Sequence, residues 1–306
     1  MLKRTEASSS YLTLLKFICL RFLVKTLFLF LLTTFITYTL LSYLPASDNE
    51  AITFSYADWL TNLIETQDFG YSDFHIGQTV ISRILVGTRT TILVSTITLL
   101  LSSLIGTGFA LFLYSPQNLL WQGPKFRMRR LLRIPLWSTI YVVSSFPVYL
   151  LGYFLFYAFH SDVNLLFALL CCVFGSGLAL EMFRNVSFVY RSELAKPYIQ
   201  NALALGLRTT NWIPGVGSVA WHAFRNVIPI ILPLFSSKLP FILSSVFLIE
   251  IMFEMPGLSD SFLSGLLNRD AHMVLAIIAL SVLFIQIVSF LSELIAFLLN
   301  PDKSSL

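Results

Sequence analysis

The decisive stretch opens with Tyr198-Ile-Gln-Asn-Ala202-Leu-Ala-Leu-Gly206 and passes through His222-Ala-Phe-Arg-Asn226-Val-Ile-Pro229 into a membrane-length apolar run. It closes with Glu250-Ile-Met-Phe253-Glu-Met-Pro256-Gly257-Leu258. The first part reads as a short surface helix. Pro197 suits the first helical position, where a missing N–H leaves no bond unmade. Gly206 suits the position just past the helix end, where a left-handed backbone is common. Between them Tyr198, Ala202 and Leu205 fall at i, i+4 and i+7 on one face. Such a stripe, set between two membrane-length runs, needs a cover. Spacing alone leaves two open: a cleft on another protein, or the lipid headgroup layer.

Working outward, the whole chain is built for lipid. Of 306 residues 56% are hydrophobic and 12% charged, and 28 are Phe. No water-soluble fold of this size hides that much apolar surface. Six runs meet the roughly 20-residue requirement of a bilayer core, at 26–44, 90–114, 134–159, 163–183, 227–252 and 271–299. They are continuous rather than alternating, which argues against a barrel. The expected fold is therefore an all-α integral membrane protein with six transmembrane helices. The first run follows Lys3, Arg4, Lys16, Arg21 and Lys25 without an A-x-A-like site after it, so it reads as a retained helix rather than a cleaved signal.

Loop charges set the expected orientation. The arm at 1–25 is basic. The loop at 45–88 carries Asp48, Glu50, Asp58, Glu65, Asp68 and Asp73 against Arg83. The loop at 115–133 carries Lys125, Arg127, Arg129, Arg130 and Arg133. The segment at 184–226 carries Arg184, Arg191, Lys196, Arg208 and Arg225 against Glu193, and the loop at 253–270 is acidic apart from Arg269. This alternation puts both termini and the 115–133 and 184–226 loops in the cytoplasm, and the 45–88 and 253–270 loops outside. The domain plan is then a cytoplasmic arm (1–25), a six-span body (26–299) and a short tail (300–306). Basic juxtamembrane loops follow from membrane insertion, so they give no reason to expect nucleic acid.

Catalytic chemistry is not legible. No phosphate-binding G-x-x-x-x-G-K-[ST] loop occurs, and no G-x-S-x-G elbow. Cys19, Cys171 and Cys172 form no C-x-x-C, and His75, His160, His222 and His272 are scattered, so neither a metal nor a catalytic site is expected. The spans hold few ionisable groups. Glu181 and Glu293 fall near span ends, where solvation is easy. Lys238 lies inside the fifth run, either as a pathway-facing cation or as a side chain snorkelling to the surface. Pro147, in the third run, breaks or kinks its helix and so either borders a cavity or serves packing alone. Gly106-Thr-Gly108 permits close helix approach.

The coupling stretch resembles the cytoplasmic loop of bacterial ABC importer permeases of the dipeptide/oligopeptide/nickel class, which reads Y-V-x-x-A-x-A-x-G-L. Other resemblances follow in order. Asp68-Phe-Gly-Tyr-Ser72 is similar to D-[FL]-G-x-S; Thr79-Val80 and Thr90-Thr-Ile-Leu to the start of the second span; Ser145-Phe-Pro147-Val-Tyr-Leu-Leu-Gly152 to S-[IF]-P-x-[FY]-x-x-G. Glu250, Phe253, Pro256, Gly257 and Leu258 match E-x-V-F-x-x-P-G-L, with Asp270 as the acid that follows it, and Glu293 to Pro301 is similar to D-x-x-Y-A-x-x-D-P. The likeness covers roughly residues 20–303. It implies an importer permease, not an enzyme, whose coupling helix (Tyr198, Ala202, Leu205, Gly206) docks on an ATPase.

It further implies a second permease, two ATPase subunits that bind ATP and Mg, and an external solute-binding protein. This chain itself would bind no cofactor. The expected place is the bacterial inner membrane and the expected cargo is peptides, with nickel chelates behind. Glu250, Phe253, Pro256 and Gly257 are expected to be structural. Departures exist: Ala46-Ser47-Asp48 replaces the usual Gly-Asp-Pro, and the segment between Gly206 and Pro229 is longer than usual. An autonomous secondary carrier is the alternative reading, and it would need repeats and coupling residues at mid-span. A membrane-embedded enzyme or assembly factor would need polar groups clustered at one depth.

The orientation is open to direct test by cysteine labelling in spheroplasts. A cysteine at Asn62 is expected to react from outside, and one at Gln122 only after permeabilisation. The reverse pattern overturns the topology.

Overall fold

The computed structural model describes residues 2–43, 54–66, 68–72, 79–114, 135, 138–139, 141–142, 144–159, 165–205 and 219–299. Its named elements are all helices: α1 (Leu2–Tyr43), α2 (Tyr56–Thr66), α3 (Val80–Leu113), α4 (Val148–Phe159), α5 (Leu165–Gly175), α6 (Leu178–Leu194), α7 (Pro197–Ala204), α8 (Val219–Met252), α9 (Leu258–Leu267) and α10 (Ala271–Leu299). The fold is all-α and membrane-spanning. Among the described residues four helices are long and apolar enough to cross a bilayer: α1 from Lys16, α3, α8 and α10. The pair α5–α6, bent by 45°, makes a fifth if it is one broken span. Of the expected third span, α4 is described as a helix, and much of what precedes it lies outside the described residues.

Several boundaries depart from the expected ones, each for a local reason. The arm at 1–25 is not separate from the first span, because no glycine or proline interrupts the chain before Pro45 and α1 runs from Leu2. The helix expected from Thr90 begins at Val80. Arg83 and Arg89 lower its hydropathy there but not its periodicity, since Val80, Ile84, Gly87, Thr91 and Val94 recur on one buried face. The outer loops expected at 45–88 and 253–270 contain α2 and α9. The expected fourth span, 163–183, is instead broken at Ser176-Gly177. Ser176 N–H caps α5 on the Cys172 carbonyl, and Gly177 takes a left-handed backbone (φ 70°) before α6 departs. α6 then runs to Leu194, so the start of the expected 184–226 loop is helix.

The chain divides into two units, Met1–Val86 with Ser261–Phe290, and Gly87–Asp260 with Leu291–Leu306. In the first, Tyr38, Phe54, Tyr56, Trp59 and Phe69 form a chain of ring contacts. The Thr34 and Tyr56 hydroxyls share a 2.8 Å hydrogen bond. Two of the family-like motifs meet in this unit. The Ser72 hydroxyl donates to Asp270 Oδ2, while Asp270 Oδ1 accepts the Met273 N–H at 3.0 Å and so caps α10. Gly70 (φ 99°) lies where any Cβ would strike the His272 ring.

The second unit is organised around α8, which packs on α4, α5, α6 and α7. Glycines allow the close approaches. Gly106 of α3 lies against the Ala179 carbonyl and Met182 of α6, Gly152 of α4 against Ile249 and Met252 of α8, and Gly175 of α5 against Val148 of α4. α8 keeps its course through Pro229, Pro233 and Pro240.

The two glycines of Gly106-Thr-Gly108 are thereby separated in role. A side chain at Gly106 meets backbone, whereas a Cβ at Gly108 meets nothing within 4 Å. Gly106→Leu is expected to cost at least about 1–3 kcal/mol through overpacking. Its thermal midpoint in detergent should fall by several degrees while Gly108→Leu stays near the parent; equal behaviour of the two variants contradicts the packing.

Candidate functional site

The segment expected to couple, α7, is built where α6 ends. Ala195 N–H closes the last turn of α6 on the Arg191 carbonyl, and Ile199 N–H bonds the Lys196 carbonyl as α7 begins at Pro197. Glu193 is almost wholly buried, and its carboxylate is satisfied from two sides. Lys196 Nζ pairs with Oε1, and the Tyr198 hydroxyl donates to Oε2 at 2.9 Å. The Tyr198 oxygen in turn accepts from Asn226 Nδ2 at 3.1 Å, near the start of α8. One tyrosine therefore ties α7 to both α6 and α8. Burial pushes the Tyr198 phenol above its ordinary pKa; the Asn226 donor opposes this and the neighbouring Glu193 reinforces it. The phenol stays protonated, as a donor to a carboxylate must.

The stripe read from sequence is divided by this arrangement. Ile199 is 2% exposed and is the apolar anchor of α7, whereas Tyr198 is 39% and Leu205 83% exposed. Ala202 is half-buried. Gly206 lies outside the described residues. Neither Ile199 nor Glu193 was singled out by spacing. A helix of eight residues has too few turns to choose between two adjacent stripes, and a lone Glu among basic residues reads as solvated.

The signature residues gather at the other end of α8. Glu250 is buried, accepting 2.7 Å bonds from the Thr91 and Ser259 hydroxyls and a 3.3 Å bond from Ser259 N–H. Leu258 N–H donates to Thr91 Oγ1 at 2.9 Å. Gly257 is packed against the Glu250 carboxylate with no space for a Cβ. Phe253 stacks on Phe156 of α4 with centroids 6.2 Å apart, and Pro256 is exposed in the turn.

The two pathway candidates fall apart in space and in kind. Pro147 precedes the first residue of α4 and its carbonyl accepts from Leu150 and Leu151; helical residues at 141–142 and 144 come before it, so it stands at a break in the helical run. Lys238 Nζ lies 2.6 Å from Glu181 Oε2 and 5.0 Å from the Phe241 ring centroid. The expected 163–183 helix would put Glu181 at its C-terminal end. The break at Gly177 places it in the first turn of α6. Among the described residues no three His, Cys, Asp or Glu side chains gather as a metal site, and Cys19, Cys171 and Cys172 are free thiols.

Sequence comparison gives this geometry a family. A stretch of 120 residues is 29% identical to the metal-staphylopine import system permease protein CntB of Staphylococcus aureus strain Mu50, and 28% identical to the same protein of strain NCTC 8325. Each match spans 39% of this chain and 36% of the relative, so the chain covers about a third of the length of these curated proteins. Residues 119–305, which include the coupling segment, α8 and the Glu250 turn, match the family of binding-protein-dependent transport system inner membrane components. The chain belongs to that family.

Proposed function

We propose that this chain is a transmembrane permease subunit of an ATP-driven importer, forming half of a translocation pathway and driven through α7 by a separate ATPase subunit. The observation that carries the reading is the state of α7. One side is pinned by Ile199 and by the Glu193–Tyr198–Asn226 bonds, while Leu205 is left 83% exposed. An exposed apolar side chain just past the end of an anchored helix is suited to contact with another protein, and the anchor passes that contact on to α6 and α8. A second permease, two ATPase subunits carrying ATP and Mg, and an external solute-binding protein complete the proposed assembly. It lies in the bacterial inner membrane, with both termini cytoplasmic.

The resemblance favours peptide cargo. The relatives named for metal-staphylopine import support a metal chelate as a second cargo class. Uptake of a radiolabelled peptide and accumulation of chelated metal, compared between a deletion strain and its complemented parent, separate the two.

Two substitutions test the coupling reading. Ala202→Glu sets an unpaired carboxylate into the proposed interface, a cost of several kcal/mol before relaxation. The expected result is normal membrane insertion with loss of ATPase co-purification and of uptake. Normal uptake would sink the assignment in favour of an autonomous carrier. Tyr198→Phe removes a donor from buried Glu193 and an acceptor from Asn226. At about 1.4 kcal/mol, amide exchange across 197–205 should quicken about tenfold, with α5 unaffected.

A further inference from the structure

We propose that Lys238 and Glu181 form a charge pair on the wall of a water-filled solute pathway, where they select solutes by charge. This deepens the permease reading and rests on it. Lys238 is deep in its helix, about 28 Å from Val219 and about 21 Å from Met252 at 1.5 Å per residue. The pair is not enclosed by its own unit, since the Lys238 and Glu181 side chains are 27% and 36% exposed. Whatever meets that surface must accept charge, and hydrocarbon does so only at high cost.

The surface around the pair is mixed, since Phe241, whose ring lies 5.0 Å from Lys238 Nζ, is 61% exposed. On α8 the exposed residues Pro233, Ser237, Pro240 and Ser244 share a narrow arc that lies roughly 100–160° around the helix from Lys238. On α6, exposed Arg184 and half-exposed Asn185 lie one turn on from Glu181. Pro233 and Pro240 have no N–H to offer the carbonyls of Pro229 and Ser236. Those carbonyls lie on the proline side of α8, nearly opposite Lys238, and so do not bear on the solvent that the pair meets. The two charges neutralise each other at rest, so a charged solute meets either of them only by exchanging with its partner.

The test uses the permease in its ATPase complex, with Cys19, Cys171 and Cys172 replaced and Leu234→Cys, one turn from Lys238 on the same side of α8, as the reporter. Reaction rates are measured with a cationic methanethiosulfonate, an anionic methanethiosulfonate and a membrane-soluble maleimide. Both charged reagents are expected to react. Lys238→Gln should raise the cation-to-anion rate ratio about fivefold, and Glu181→Gln should lower it by a similar factor. Should either single variant fail to insert, Lys238→Glu combined with Glu181→Lys keeps the pair and should shift the ratio in the same direction as Lys238→Gln. Reaction with the maleimide alone places the face in lipid and overturns the proposal. Reaction with no reagent buries it against another subunit, and an unchanged ratio removes the pair from the aqueous space; either result also overturns it. Loss of the ATPase from the parent complex would strike the permease reading instead, and it is visible before labelling begins.

Discussion

The Glu250 carboxylate is the constraint on which the second unit depends. A buried acid must be neutralised or fully hydrogen-bonded, and this one is met by two hydroxyls and an amide. Thr91 serves twice, donating to Glu250 and accepting from Leu258 N–H. Four local requirements follow from that single group: a hydroxyl at Thr91 on α3, a hydroxyl at Ser259, a residue without Cβ at Gly257, and a sharp exit from α8. Gly87 completes the set, because a Cβ there would meet the Gly257 carbonyl at 2.6 Å. The Glu250-to-Leu258 signature is thus one polar knot rather than a row of separate features.

From that knot α8 runs back to Asn226 and the Tyr198 hydroxyl. The two ends differ in character. Glu250 is buried, while Tyr198 is half-exposed and its phenol both gives a hydrogen bond and takes one. The start of α8 is also buried, at Val219, Ala223 and Val227, so a displacement of α7 would reach it through apolar packing as well as through the Tyr198 hydroxyl. α7 has few means of moving without disturbing Tyr198, and Tyr198 touches both α6 and α8.

Much of this was legible in the chain. Continuous apolar runs located the long helices, because lipid leaves a span no other way to satisfy its backbone. Pro197 and the spacing that follows it located α7, and the Glu250 signature located the turn after α8. What escaped was chiefly pairing at long range. That Ser72 would meet Asp270, or Lys238 meet Glu181, is a property of packing, with no trace in local periodicity. The break at Ser176-Gly177 was masked by the apolar residues on either side, which average into one run. Hydropathy likewise hid the first turns of α3, since Arg83 and Arg89 face away from the buried stripe. The anchor Ile199 carries no such signal, because α7 is too short for its inward and outward sides to be told apart by pattern.

The three prolines of α8 carry one more consequence. Pro229, Pro233 and Pro240 recur at intervals of four and seven, so they lie along one side of the helix, and each deletes an amide from the hydrogen-bond ladder there. The opposite side keeps its ladder. A rod notched three times along a single edge does not soften equally in all directions: it gains a preferred plane of flexure and stays stiff across it. With the Glu250 end clamped, a force applied at the Asn226 end is resolved into bending in that plane, so the direction of movement is written into the backbone before any partner pushes.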